Sequence, residues 1–228
     1  MFNVIVLLML SGAQAGVAPT PQPHELSVKG AGSRGTLVFT SGTVEFKAAE
    51  AGKARTWLYQ DLQQIRIESP KKIALETFED QSRWRLGADR TVTFEVTRGE
   101  ITAETVAFLL AHVARPVGTS IMPGNLGDAV ARVPAKHRRF GRGSQGTLAL
   151  HSTGLAYVAD PQADSRFWRF ADLQSVLRSS PFELLVTAYE GGALRTYAFD
   201  LKAPIPQDAF DALWAEVNPA MPRVGGAR

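Results

Sequence analysis

The sequence predicts a mainly β (α+β) protein built from two tandem units, each a bent antiparallel sheet or barrel of six to seven strands closed by one C-terminal helix. Three observations predict it. Short segments rich in β-branched and aromatic residues alternate with turn signals along most of the chain. The same series of segments occurs twice. An apolar period of about 3.6 residues appears only where each series ends.

The duplication is read directly from the residues. Gly35-Thr36-Leu37 recurs as Gly146-Thr147-Leu148, a shift of 111. The same shift carries Arg55 to Arg166, Trp57 to Trp168, Tyr59 to Phe170, Asp61-Leu62-Gln63 to Asp172-Leu173-Gln174, Ser69-Pro70 to Ser180-Pro181 and Phe78-Glu79 to Tyr189-Glu190. Past Glu79 the shift falls to 105, with Arg90-Thr91 and Phe94 matching Arg195-Thr196 and Phe199, so one hairpin of the first copy is six residues longer. It falls to 104 where Ile101 and Val106–Val113 match Ile205 and Phe210–Val217. The units are placed at 24–115 and 136–217, with a proline-interrupted linker over 116–135 and a flexible tail over 218–228.

Within a copy, Thr36–Phe39 and Thr43–Lys47 flank Ser41-Gly42 as a hairpin, and Arg55–Tyr59, Ile65–Glu68, Ile73–Phe78 and Thr91–Val96 continue the meander. Arg83–Leu86 is a candidate extra strand in the longer hairpin. Alternation places Arg55, Trp57 and Tyr59 on one face, and Arg166, Trp168 and Phe170 repeat it. Val106, Leu109, Leu110 and Val113 form a helical stripe after the N-cap candidate Thr102; Phe210, Leu213, Trp214 and Val217 form another after Pro206. The plan, the Arg-x-Trp-x-aromatic strand followed by Asp-Leu, the Ser-Pro turn and the closing helix resemble the pleckstrin-homology-like (PH-like) superfold, including its GRAM-type members, and the tandem copies look like bacterial proteins that carry two such domains. The resemblance covers 35–113 and 146–217 and implies a binding scaffold. Phosphoinositide-binding members use basic residues around the first hairpin; here Thr40-Ser41-Gly42 and Ser152-Thr153-Gly154 stand there, and no binding residue is carried over.

Composition sets the outer limits. With 228 residues, 45% hydrophobic and 21% charged, the chain can bury a core in one or two domains. The absence of cysteine excludes disulfides, thiolate metal sites and cysteine nucleophiles. An apolar run over 4–10 followed by Ala13-Gln14-Ala15 reads as a signal peptide over 1–15, with an extended lead-in over 16–23. The run is too short for a membrane-spanning helix, so no transmembrane span is expected in the mature chain. The lack of a basic residue before it fits a start codon further upstream. Export to the periplasm or exterior follows as an expectation.

Motifs with chemistry are few. Gly30-Ala31-Gly32-Ser33-Arg34-Gly35 and Gly141-Arg142-Gly143-Ser144-Gln145-Gly146 both match G-x-G-x-x-G, yet both lead into strands where a dinucleotide fold needs a helix, and they read as a flexible approach to the first strand. His24, His112, His137 and His151 show no ligand spacing, and His112 and His151 are expected at exposed element ends. No metal, cofactor or catalytic residue is predicted. Between Asp128 and Asp160 the chain has no acid, while Arg132, Lys136, Arg138, Arg139 and Arg142 contribute +5. This basic stretch at the junction, together with Trp84 between Arg83 and Arg85, supplies the candidate ligand-binding residues. The expected function is a non-catalytic binding or scaffold protein outside the cytoplasm, engaging a protein, peptide or anionic surface and not nucleic acid. Peripheral binding to anionic lipid through the basic junction, and an enzyme with its site between the repeats, are the alternatives.

Overall fold

Alternating apolar and polar residues leave each strand one face to bury, and the turn residues between them set the pairing. The structure, a computed structural model, describes residues 22–219 except 83, 84 and 140, without the side chains of 82, 85–88 and 142. The predicted signal segment and most of the lead-in and tail lie outside the described residues. The protein is mainly β. In order come β1 (His24–Gly30), β2 (Ser33–Phe39), β3 (Thr43–Ala48), β4 (Arg55–Leu58), β5 (Leu62–Ser69), β6 (Lys72–Ser82), β7 (Arg85–Arg98) and α1 (Ala103–His112). After β8 (Val117–Thr119), the series resumes with β9 (Ala131–Arg139), β10 (Arg142–His151), β11 (Gly154–Asp160), β12 (Arg166–Arg169), β13 (Leu173–Ser180), β14 (Glu183–Glu190), β15 (Ala193–Leu201) and α2 (Gln207–Val217).

The described strands form one sheet of fifteen, in the order β13-β14-β15-β9-β10-β11-β12-β8-β5-β6-β7-β1-β2-β3-β4. Read from β4, the first seven run 4-3-2-1-7-6-5, and β12 to β13 repeat that order. Two separate sheets were expected. They are joined because β8 pairs in parallel with β5 (Ile65↔Val117, Ile67↔Thr119) and touches β12 at Phe167↔Thr119. Its three residues carry too little periodicity to announce a strand between Pro116 and Pro123.

Three further expectations need correction. The opening strands β1 and β9 were missed, so the segment read as linker contains β8 and the start of β9. The glycine motif of the first copy is a tight hairpin turn, with Ala31 at φ 48° and Gly32 at φ 76°, the left-handed pair that a two-residue hairpin needs. Arg85 and Leu86 belong to the long strand β7 and not to a separate one.

Each series encloses its own core. One cluster gathers Leu26, Phe46, Trp57, Ile65, Phe94 and Leu109; a second gathers Val133, Tyr157, Trp168, Val176, Phe199 and Leu213. The recurring aromatics occupy matching places. Phe46 and Phe94 have ring centroids 5.0 Å apart, and their counterparts Tyr157 and Phe199 are 4.8 Å apart. Trp57 meets Phe94 edge-on at 6.3 Å, and Trp168 meets Phe199 edge-on at 6.5 Å. The Ser-Pro turns match too: the Lys71 and Phe182 amides each donate to the serine hydroxyl two residues back, at 3.2 Å. The Thr102 hydroxyl caps α1 by accepting from the Thr105 amide at 3.2 Å.

Candidate functional site

Residues that differ between the copies build the junction. In β12, Arg169 stands where β4 has Leu58. Its Nε and Nη2 donate to both carboxylate oxygens of Asp172, at 2.8 and 2.9 Å. Nη1 donates to the carbonyls of Leu110 (2.8 Å) and Val113 (2.6 Å), and Nη2 to that of Arg115 (2.8 Å). The end of α1 leaves carbonyls without intrahelical partners and carries the negative end of the helix dipole, so a guanidinium suits it. Burial pushes the Asp172 carboxyl up from its ordinary value, against the pull of Arg169. Buried Gln64 makes the second joint: its Nε2 donates to the Tyr189 carbonyl at 2.8 Å and its Oε1 accepts from the Gly191 amide at 2.7 Å.

Between these joints lies a polar cleft of about 320 Å³, lined by Arg66, Glu68, Gly118, Thr119, Arg166, Glu190 and Arg195. Its acids are occupied. Arg66 reaches Glu68 at 2.9 Å and Glu76 at 2.8 Å; Arg166 Nε lies 3.6 Å from Glu190, which also accepts from the Tyr197 hydroxyl. Burial pushes the Tyr197 phenol up to about 12 and raises the Glu76 carboxyl. Each of these ion pairs stays within one copy, Arg66 with Glu68 and Glu76 on β5 and β6, and Arg166 with Glu190 on β12 and β14.

On the other side of Arg169 an open groove of about 880 Å³ runs between α1, the 123–126 segment, β12 with its following turn, and the end of α2. Ala107, Leu110 and Ala111 form one wall, one turn apart on α1; Phe167, Phe170 and Leu173 form the other; Pro123, Leu126, Val217 and Pro219 complete it. Asn125, Thr153 and Glu216 are the polar groups of its lining besides Arg169. Behind Phe167, a wall of the groove, the stretches 148–150 of β10 and 155–157 of β11 are apolar on both faces. Ala149 and Ala156, small and outward-facing, receive Phe167, and Leu110, Met122, Leu126 and Ala129 pack over it. The first copy has Val38, Glu45 and Thr56 at the positions of Ala149, Ala156 and Phe167. The unbroken apolar runs Leu148-Ala149-Leu150 and Leu155-Ala156-Tyr157 are the sequence signal for this, and only part of it recurs in the first copy, where Glu45 interrupts the second run.

The residues expected to bind sit elsewhere. Arg132, Lys136 and Arg138 lie on the exposed face of β9, opposite buried Val133, Ala135 and His137, so the basic stretch is a strand of the second copy and not a junction linker. Arg138 pairs with Glu183 and with Asp200 (3.4 Å), and Arg139 with Asp164 at 2.6 Å. Arg142 opens β10 opposite Arg139. Arg132, Lys136, Arg138 and Arg139 line neither the groove nor the cleft, and Arg142 is described by its backbone alone. Arg83 and Trp84 lie outside the described residues, and Arg85 is described by its backbone alone. His151 is buried, not exposed, with its Nδ1 lacking a partner, because β10 does not end at the surface there: the chain at 130 runs alongside, the Val130 amide donating to the Leu150 carbonyl at 2.7 Å. His137 is buried among Tyr157, Tyr197 and Phe199, with Nδ1 lacking a partner, and burial with nearby Arg139 pushes it down to about 4. Among the described residues no group of three His, Cys, Asp or Glu could hold a metal, and no helix is long and apolar enough to cross a membrane.

No protein-family model matches the chain, and no curated protein matches it. Solved structures with some likeness include the C-terminal domain of an unknown protein from Leishmania infantum, at 12% identity over 39% of this chain and 83% of that one, with a TM-score of 0.30. The Spt16D Pob3N heterodimer is another, at 10% identity over 74% of this chain and 84% of that one, with a TM-score of 0.32.

Proposed function

We propose that the chain is a non-catalytic binding protein of two PH-like units, acting outside the cytoplasm after cleavage near Ala15, and that its junction groove takes apolar side chains of a peptide or protein partner. The apolar lining of the groove carries this reading: about 880 Å³ open to solvent, with its one guanidinium wholly engaged by Asp172 and three carbonyls. A site of that size with few polar groups suits a ligand that buries hydrocarbon, and Arg169 has no donor left for an anion. Its openness favours side chains of a surface-laid segment over an enclosed small molecule. The repeated strand order and the closing helices support the PH-like assignment.

Random displayed peptides selected on the full chain test the reading, with Ala111→Glu as the counter-target because Ala111 is exposed on α1 and tolerates a larger helix-forming residue. Enriched peptides should share bulky apolar residues and bind the variant on the order of tenfold more weakly. No enrichment, or peptides indifferent to the substitution, would refute it.

A further inference from the structure

The internal joint can be used as a template, because each copy presents the same two faces and uses only one of them within the chain. The first copy contributes β5 and the end of α1, through Gln64, Arg66 and Leu110. The second contributes β12 and the tip of β14, through Arg169 and Tyr189. The counterparts of these residues on the unused faces are half-buried Ser175 for Gln64, Leu177 for Arg66, Trp214 for Leu110, Leu58 for Arg169 and Phe78 for Tyr189, by the shifts of 111 and 104. Leu177 is 56% exposed, Trp214 51%, Leu58 46% and Phe78 56%, and they are four of the eight large exposed hydrophobics among the described residues.

The substitution pattern runs against solvation. Where the copies meet, four of the five positions are polar; on the unused faces four of the same five are apolar and exposed, Ser175 being the exception. The free sheet edges agree, since β13 and β4 are the ends of the strand order and are the counterparts of β5 and β12. We infer that a second copy of this chain docks head to tail, its β4 face (Leu58, Phe78) against the β13–α2 face (Leu177, Trp214) of the first. Such a contact is heterologous, so it leaves one face free at each end and extends the assembly. The inference rests on the repeat reading and not on the groove ligand, because none of the four residues lines the groove.

Sedimentation velocity on the full chain over a wide concentration range tests it. The expected result is a weight-average sedimentation coefficient that climbs with concentration through successive species. Leu177→Glu/Trp214→Glu and Leu58→Glu/Phe78→Glu should each be monomeric, with association weakened on the order of 100-fold. Their equimolar mixture should form a heterodimer and stop there, because each keeps one intact face. Circular dichroism spectra and cooperative thermal melting like those of the unsubstituted chain establish that the variants are folded. A wild-type monomer at every concentration overturns the inference. So does self-association of either variant, which would show a twofold contact or another surface.

Discussion

Single residues explain why parts of the sequence recur. A Cβ on Gly35 would lie 2.3 Å from the Lys47 carbonyl and 2.9 Å from the Phe46 ring; on Gly146 it would lie 2.3 Å from the Val158 carbonyl and 2.9 Å from the Tyr157 ring. Alanine at either position should therefore cost about 1–3 kcal/mol, equally in the two copies, as read by urea unfolding. Arg169→Leu, which installs the residue of the first copy, strips the end of α1 of its guanidinium and leaves the buried Asp172 carboxylate with no cation, accepting only from the backbone amides of Val117 and residue 169. A loss of about 3–5 kcal/mol is expected, partly recovered by adding Asp172→Asn. His137 supplies a pH dependence. Its folded value lies below its ordinary 6.5, at about 4, so the unfolded chain binds the extra proton between those values. Stability must fall as pH drops through that window, by up to about 3 kcal/mol. Melting curves of His137→Phe should lack this component. The recurring Trp57 and Trp168 were legible as aromatics of one repeated strand face, and both are buried. The burial of His137 was not legible, since nothing in its neighbours shows that Phe199 and Tyr197 close over it.

At the scale of elements, strands with their own alternation were legible and strands made by a neighbour were not. β2 to β5 fall within a few residues of expectation, β6 and β7 run further into the long hairpin than expected, to Ser82 and from Arg85, and α1 begins after Thr102 as its capping residue requires. β8 is a strand because the β5 edge offers it hydrogen bonds, a tertiary cause that three residues cannot advertise. It is also the element that holds the copies in one sheet. Gly118→Pro removes an N–H opposite Arg66 and should expose 113–130 to limited proteolysis while both cores persist. Gly118→Ala, whose Cβ would meet its neighbours no closer than 3.5 Å, should leave the joint intact. Equal protection in the two variants would remove β8 from the account.

For the molecule as a whole, duplication was the most legible property, and the join between copies the least, because joining is done by residues that do not recur. Arg169, Gln64 and the alanines under Phe167 have no equivalents to draw attention to them. Recognition is assigned to the same asymmetric region. Methyl-resolved NMR of the full chain, titrated with a groove-selected peptide, tests this most directly. The account predicts shifts at Leu110, Leu126 and Leu173 while the core methyls of Leu75 and Leu184 stay fixed. Shifts confined to Leu58 and Leu177, or none at all under saturating peptide, would contradict it.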